Sequence, residues 1–261
     1  MVTKRYIDGK EGGAEREWRA LTLLAEHAPG LAPAPIAFDG GVVMSRVDGV
    51  PLRGMAAAAV HAGALVEAVS TMHAAVPRAV LDQVPVRPWQ VGMLGRQVRQ
   101  WCESWLATRA DREGGAVAGD QGDRAAVSAQ ADRAVGEGLR WLDSWRPGEV
   151  GVTPAFGAGD GNLANFLWDG TRVRILDFED SGRSDRAFEL AELAEHVSMW
   201  VDGEVNVLRH AELSSAEAAR LRECRRLQAL TWLFLLSGEG PRNPPGTFAR
   251  QVERVLARLE G

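Results

Sequence analysis

The chain has 261 residues, 46% of them hydrophobic and 25% charged, with a net charge of −5. That length allows one large domain or two unequal lobes sharing a cleft, and the mild acidity excludes the concentrated basic surface of a nucleic-acid binder. Two cysteines make no disulfide framework. Residues 1–6 hold no apolar signal core, and the longest apolar stretch, 227–236, is too short to cross a bilayer, so a cytoplasmic protein without a membrane partner is expected.

In chain order, residues 3–7 read as a short strand. Gly12-Gly13 then leads into 14–28, where Trp18, Leu21, Leu24 and Ala25 recur at helical spacing. Pro29, Pro33 and Pro35 break that helix. Asp39-Gly40-Gly41 predicts a hairpin turn into a buried strand over 42–47, which ends at Asp48-Gly49-Val50-Pro51. From Met55 the pattern is mostly helical. Val60, Leu65, Val69 and Met72 mark one helix, and Val91, Leu94, Val98, Trp101 and Trp105 mark another. The Gly- and Asp-rich stretch 109–123 has no periodicity and reads as a flexible loop. A helix resumes near Arg124 and runs toward Trp145. Two apolar runs, 165–168 and 173–176, then flank Asp169-Gly170 as a small β-hairpin, and helices return from Asp185.

The densest chemical constellation is Gly159-Asp160-Gly161-Asn162-Leu163-Ala164-Asn165, followed by Ile175-Leu176-Asp177-Phe178-Glu179-Asp180. Phosphoryl transfer needs a carboxylate to accept the proton of the attacking hydroxyl and hard oxygen ligands for Mg²⁺ on the nucleotide phosphates. Asp160, Asn165 five residues on, and Asp177 beyond one hairpin supply that set in the order of the protein-kinase signature. A calcium loop is excluded because Ala164 stands where a third oxygen ligand is needed.

The stretch 159–191 resembles the aminoglycoside-phosphotransferase and choline-kinase-like superfamily, whose loop reads His-Gly-Asp-x-x-x-x-Asn before an Asp-Phe/Trp-Glu/Asp element. The resemblance implies an α+β, two-lobed, protein-kinase-like fold. Residues 1–47 would form a reduced N-lobe on the nucleotide side, and 48–261 a helical C-lobe with the catalytic hairpin and the acceptor site. It makes Asp160 the catalytic base and Asn165 and Asp177 the magnesium ligands, with Asp185 bracing the loop. Lys4, one of only two lysines among 30 basic residues, would contact the α/β-phosphates of ATP or GTP, held by Glu17 on the following helix. Met44, Ser45 and Val47 would line the adenine site.

The sequence departs from the family pattern twice. Ala158 stands where the family has its loop histidine, and no glycine-rich phosphate-covering turn precedes Lys4, so the chain reads as starting at the family's third strand. No P-loop motif substitutes for it. A non-catalytic binding protein that has lost phosphate capture is therefore the alternative to a kinase. The resemblance implies a small-molecule acceptor. Glu189, Glu192 and Glu195 share a broad helix face, which reads either as an acidic wall for a cationic acceptor, such as an amino sugar or amino alcohol, or as a solvated surface. His73 and His196 read as structural or surface residues.

Overall fold

The computed structural model describes residues 1–6, 11–55, 58–113, 122–238 and 243–261, and no side chain within 110–125. The elements run β1 (Val2–Lys4), α1 (Gly13–His27), β2 (Pro35–Phe38), β3 (Val42–Met44), β4 (Val50–Pro51), α2 (Ala62–Ala75), α3 (Arg78–Leu81), α4 (Val91–Glu113) and α5 (Gly122–Ser144). They continue with β5 (Pro154–Gly157), β6 (Phe166–Trp168), β7 (Val173–Ile175), β8 (Gly182–Asp185), α6 (Arg186–Glu195), α7 (Ser215–Leu235) and α8 (Thr247–Glu260). The fold class is α+β, as expected. The chain divides into two compact units, 1–90 with 150–221, and 91–149 with 222–261.

Among the described residues the first unit holds every strand, in three small antiparallel sheets ordered β1-β3-β2, β4-β6-β7 and β5-β8. In the first sheet Lys4 lies opposite Val42. The helix α1 packs beside this sheet on Ala20, Leu21 and Leu24, all buried. Glu17 continues that stripe one turn earlier, so the helical period alone sends this carboxylate inward while Glu15 stays exposed.

The strand expected over 42–47 stops at Met44. Ser45 closes the β2–β3 hairpin instead: its N–H donates to Ala34 O and its Oγ accepts the Ala34 N–H. The first strand is likewise shorter than expected and ends at Lys4, with residue 7 outside the described residues. The expected hairpin around Asp169-Gly170 is β6–β7. Asp169 Oδ1 fixes its turn by accepting from Thr171 N–H, Thr171 O–H and Arg172 N–H.

The sequence reading missed three strands. Val50-Pro51, taken as a terminator, pairs with β6, and the β5–β8 ribbon went unseen. Each is short and contains Pro or Gly, and only tertiary pairing makes it a strand.

The second unit is helical. Within it α5 packs against α4 and α8, and Trp101 and Trp105 lie against Phe234. The stretch expected to be a loop is helical through Glu113 and again from Gly122, and residues 114–121 lie outside the described ones. Both cysteines are buried free thiols. Among the described residues no helix is long and apolar enough to cross a membrane.

Candidate active site

The site lies in the first unit, around Lys4. Its Nζ is 2.7 Å from Glu17 Oε2, 2.5 Å from Asp177 Oδ1 and 3.1 Å from Glu179 Oε2. Three carboxylates thus surround one ammonium. Burial alone would depress the Lys4 pKa, but the hydrogen bonds and charges of Asp177 and Glu17 raise it above the ordinary lysine value, so it stays charged. Glu17 is pushed upward by burial, and Lys4 and the Phe178 N–H oppose that push. The 3.0 Å bond from Phe178 N–H to Glu17 Oε2 ties α1 to the residue after Asp177. Asp177 itself has φ 66°, in the left-handed region that Asp tolerates better than most side chains. Glu179, in the turn that follows Asp177, reaches the same ammonium.

The segment 159–165 runs beside this cluster. Asp160 Oδ1 accepts the Asn162 N–H at 2.9 Å and Oδ2 accepts the Asn165 Nδ2–H at 2.9 Å. Leu176 N–H donates to Asn165 O at 2.8 Å, which sets the residue before Asp177 against Asn165. Burial, with the charges of Asp177 and Asp180, raises the Asp160 pKa against the pull of the two donors. A carboxylate whose pKa is raised accepts a proton more readily near neutral pH.

Two glycines of this segment have structural reasons that do not involve phosphate. Gly159 has φ +83°, and a Cβ there would collide with Asp180 O. A Cβ on Gly161 would sit 2.7 Å from Leu193 Cα, so the loop lies directly on the α6 backbone.

The α6 carboxylates form neither an open acidic wall nor a solvated face. Glu189 and Glu195 are buried, and Arg87 Nη1 lies 2.5 Å from both Glu189 Oε1 and Glu192 Oε2. Arg87 also donates from Nη2 to Gly159 O at 3.2 Å. Burial opposes its charge, but the two glutamates raise its pKa well above the ordinary value. Burial would likewise push Glu189 up, yet Arg87 and the Ser184 hydroxyl hold it below the usual range. Asp185 does not reach the loop: it caps α6 through the Ala187 N–H and pairs with Arg220. The loop brace is Arg87.

Two histidines lie beneath the loop. His73 lines a small cavity with Ala158, Asp160 and Glu189, and neither of its ring nitrogens has a hydrogen-bond partner. Burial lowers its pKa to about 4. His196 ends α6, and burial, with the Arg53 charge, lowers its pKa to about 3.

Of the residues singled out from sequence, Lys4, Glu17 and Asp177 meet, as do Asp160 and Asn165. Met44 is buried on β3, and Ser45 and Val47 are half-buried just beyond it; no described side-chain bond joins these three to the Lys4 cluster. Sequence reasoning missed Glu179, Arg87 and His196 as site residues. Its place in the Asp177-Phe178-Glu179-Asp180 run carried a signal for the first. Nothing local around Val86-Arg87-Pro88 pointed to the second.

A model of the phosphotransferase enzyme family matches residues 1–229. The chain belongs to that family. No curated protein sequence matches it. Among solved structures it is similar to the choline kinase LicA from Streptococcus pneumoniae, with 17% identity, 99% of this chain and 85% of that one covered, and a TM-score of 0.55. A choline kinase from Cryptosporidium parvum Iowa II has 12% identity, coverage of 99% and 81%, and a TM-score of 0.59. The spectinomycin phosphotransferase APH(9)-Ia, solved with ADP and spectinomycin, has 11% identity, coverage of 99% and 84%, and a TM-score of 0.54. At these identities the likeness establishes that this phosphotransferase-family chain shares their kinase-like fold.

Two outcomes test the support beneath the loop. Arg87→Met leaves Glu189 and Glu192 buried without their counter-charge and is expected to cost ~3–5 kcal/mol in urea unfolding. Adding Glu189→Gln and Glu192→Gln to the same chain should recover most of that loss, whereas an Arg87→Met chain of unchanged stability would contradict the account. His73 titrates near 6.5 when unfolded and near 4 when folded, so its neutral burial favours the fold above pH 6.5 and does so progressively less as pH falls toward 4. His73→Leu should therefore reduce the stability lost between pH 7 and pH 4.5 by about 2–3 kcal/mol. Identical pH slopes in the two chains would contradict that burial.

Proposed function

We propose that this chain is a small-molecule kinase that moves the γ-phosphoryl group of Mg-ATP, or of GTP, to a hydroxyl of a small acceptor. The observation that carries the reading is Lys4 held between Glu17 and Asp177, beside an Asp160 bonded to Asn165. These are the parts a phosphoryl transfer needs: a cation for the phosphates, a base, and oxygen ligands for a metal. In this reading residues 1–47 form the nucleotide side, with Met44, Ser45 and Val47 at the adenine, and 48–261 carry the catalytic loop and the acceptor side.

The residues present fit magnesium. Lys4 faces three carboxylates, and Asp160 and Asp180 add further negative charge nearby. A triphosphate entering such a site needs accompanying cations. Asp177 and the Asn165 oxygen would hold Mg²⁺, which would neutralise charge on the phosphates and align them. Among the described residues no three His, Cys, Asp or Glu side chains converge as a metal cage, and that suits an ion that takes most of its ligands from phosphate and water.

The chain's own groups then divide the work. Lys4 binds the phosphates and Glu17 fixes Lys4. Asp160 holds the acceptor hydroxyl and takes its proton as the new oxygen–phosphorus bond forms and the bond to the departing nucleoside diphosphate breaks. Asn165 holds Asp160 in place through Oδ2. Because Arg87 already engages Glu189 and Glu192 inside the protein, a cationic acceptor would need other carboxylates.

The test is transfer of phosphate from Mg-ATP or Mg-GTP to a panel of amino sugars and amino alcohols. Asp160→Ala is expected to lower turnover by about 10²–10⁴-fold, the range for loss of a general base. Turnover near the wild-type rate would reject the role of Asp160. Nucleotide binding without transfer to any hydroxyl would favour the binding-protein reading.

A further inference from the structure

His196 stands at the meeting point of α6 and the loop that carries Asp160. Its ring orientation is over-determined. Nδ1 accepts the Ser198 backbone N–H at 3.1 Å, and the Ser198 hydroxyl lies 2.7 Å from the same nitrogen. That hydroxyl oxygen in turn accepts the Leu163 N–H at 2.9 Å, and because the Ser198 backbone N–H already points at Nδ1 the hydroxyl meets that nitrogen as a donor. An Nδ1 that accepts twice carries no proton. The buried neutral imidazole must then hold its proton on Nε2, and Nε2 is the nitrogen that lies 3.7 Å from Asp160 Oδ1.

We propose that His196 is a positioning residue for Asp160, held by Ser198 as the Nε2–H tautomer so that its donor closes onto Oδ1 when the site is loaded. The proposal rests on the kinase reading for what Asp160 does, but the tautomer and the direction of the bond rest on geometry alone. At 3.7 Å the contact is longer than a formed hydrogen bond. Bonds to catalytic groups commonly shorten in the loaded complex. The loop is built for that adjustment. Asp160 Oδ2 is held by Asn165 and Oδ1 by Asn162 N–H on one side only, so a second donor at Oδ1 fixes the carboxylate plane. The same Ser198 hydroxyl anchors Leu163 within the loop. Ser198 thus sets the histidine tautomer and the loop position with one group, and aligns the two. The charged groups that face this arrangement are Asp177 and Asp180 beyond Asp160, Glu192 on α6, and Arg53 on the side of His196.

Two measurements test it. In ¹⁵N-labelled wild-type protein, long-range proton–nitrogen spectra should show His196 with a protonated Nε2 and a bare Nδ1, the signals being assigned by their loss in His196→Gln. The opposite tautomer would overturn the proposal without reference to any activity. Hydrolysis of Mg-ATP in the absence of an acceptor is the second. His196→Leu should lower kcat by about 10- to 100-fold, the equivalent of one hydrogen bond to a charged group, with KM for ATP little changed. His196→Gln, whose amide N–H reaches the same place as Nε2–H, should restore most of kcat. A folded His196→Leu with the wild-type kcat, or a His196→Gln as slow as His196→Leu, would overturn it. A wild-type chain that turns over no nucleotide, alone or with any acceptor of the panel, would count against the kinase reading, and the tautomer would still decide whether His196 points a donor at Asp160.

Discussion

The candidate site depends on one ammonium group. Lys4 gathers Glu17 from α1 and Asp177 and Glu179 from beyond the β6–β7 hairpin, so two segments far apart in sequence meet on a single cation. Without it the three carboxylates would repel one another, and burial would favour protonating Glu17, whose pKa burial already raises. The sheet makes the meeting possible. Pairing of β1 with β3 fixes Lys4 opposite Val42, and the helical period of α1 turns Glu17 inward. The cluster is a quarter exposed at Lys4, so its worth to global stability is discounted by solvent screening. In the proposed function its value is in placing charge where phosphates would bind.

Stability in this region comes from a second cation of different character. Arg87 is almost fully buried between Glu189 and Glu192 and reaches the carbonyl of Gly159. Leaving either glutamate unpaired in such a place costs far more than losing an exposed pair. Arg87, the contact of Gly161 with the α6 backbone, and the Ser198 bond to Leu163 all converge on the loop that carries Asp160. For the base proposed here such rigid support fixes the geometry, since a misplacement of about 1 Å is enough to cost a large factor in rate.

Much of this was legible in the sequence. The spacing of Asp160, Asn165 and Asp177 around a hairpin gave both the loop and its resemblance to a phosphotransferase, and the family match over residues 1–229 agrees. Glu17 was readable through the family resemblance of its helix, and the structure adds the physical reason: it continues the buried stripe of Ala20, Leu21 and Leu24. What could not be read is what only tertiary pairing creates. The β5–β8 ribbon contains Gly157 and Gly182 and lacks the alternation of a half-exposed strand. Arg87 sits in a connection between helices and finds its partners on α6, about a hundred residues later. The acidic positions on α6 gave a true helix face and a mistaken expectation for it, because a sequence pattern of charge does not tell whether the counter-charge comes from solvent, a ligand or another part of the chain.

The most direct test of the central claim, that the Lys4–Asp177 pair is a nucleotide-phosphate site, is the melting temperature of the chain with and without Mg-ATP. Ligand at ~100 times its dissociation constant adds about 2.7 kcal/mol, a rise of roughly 5–10 °C for a chain of this size. The account predicts that rise with magnesium present, and its loss in both Lys4→Met and Asp177→Ala. No rise in the wild-type chain, or an equal rise in the two variants, would contradict it.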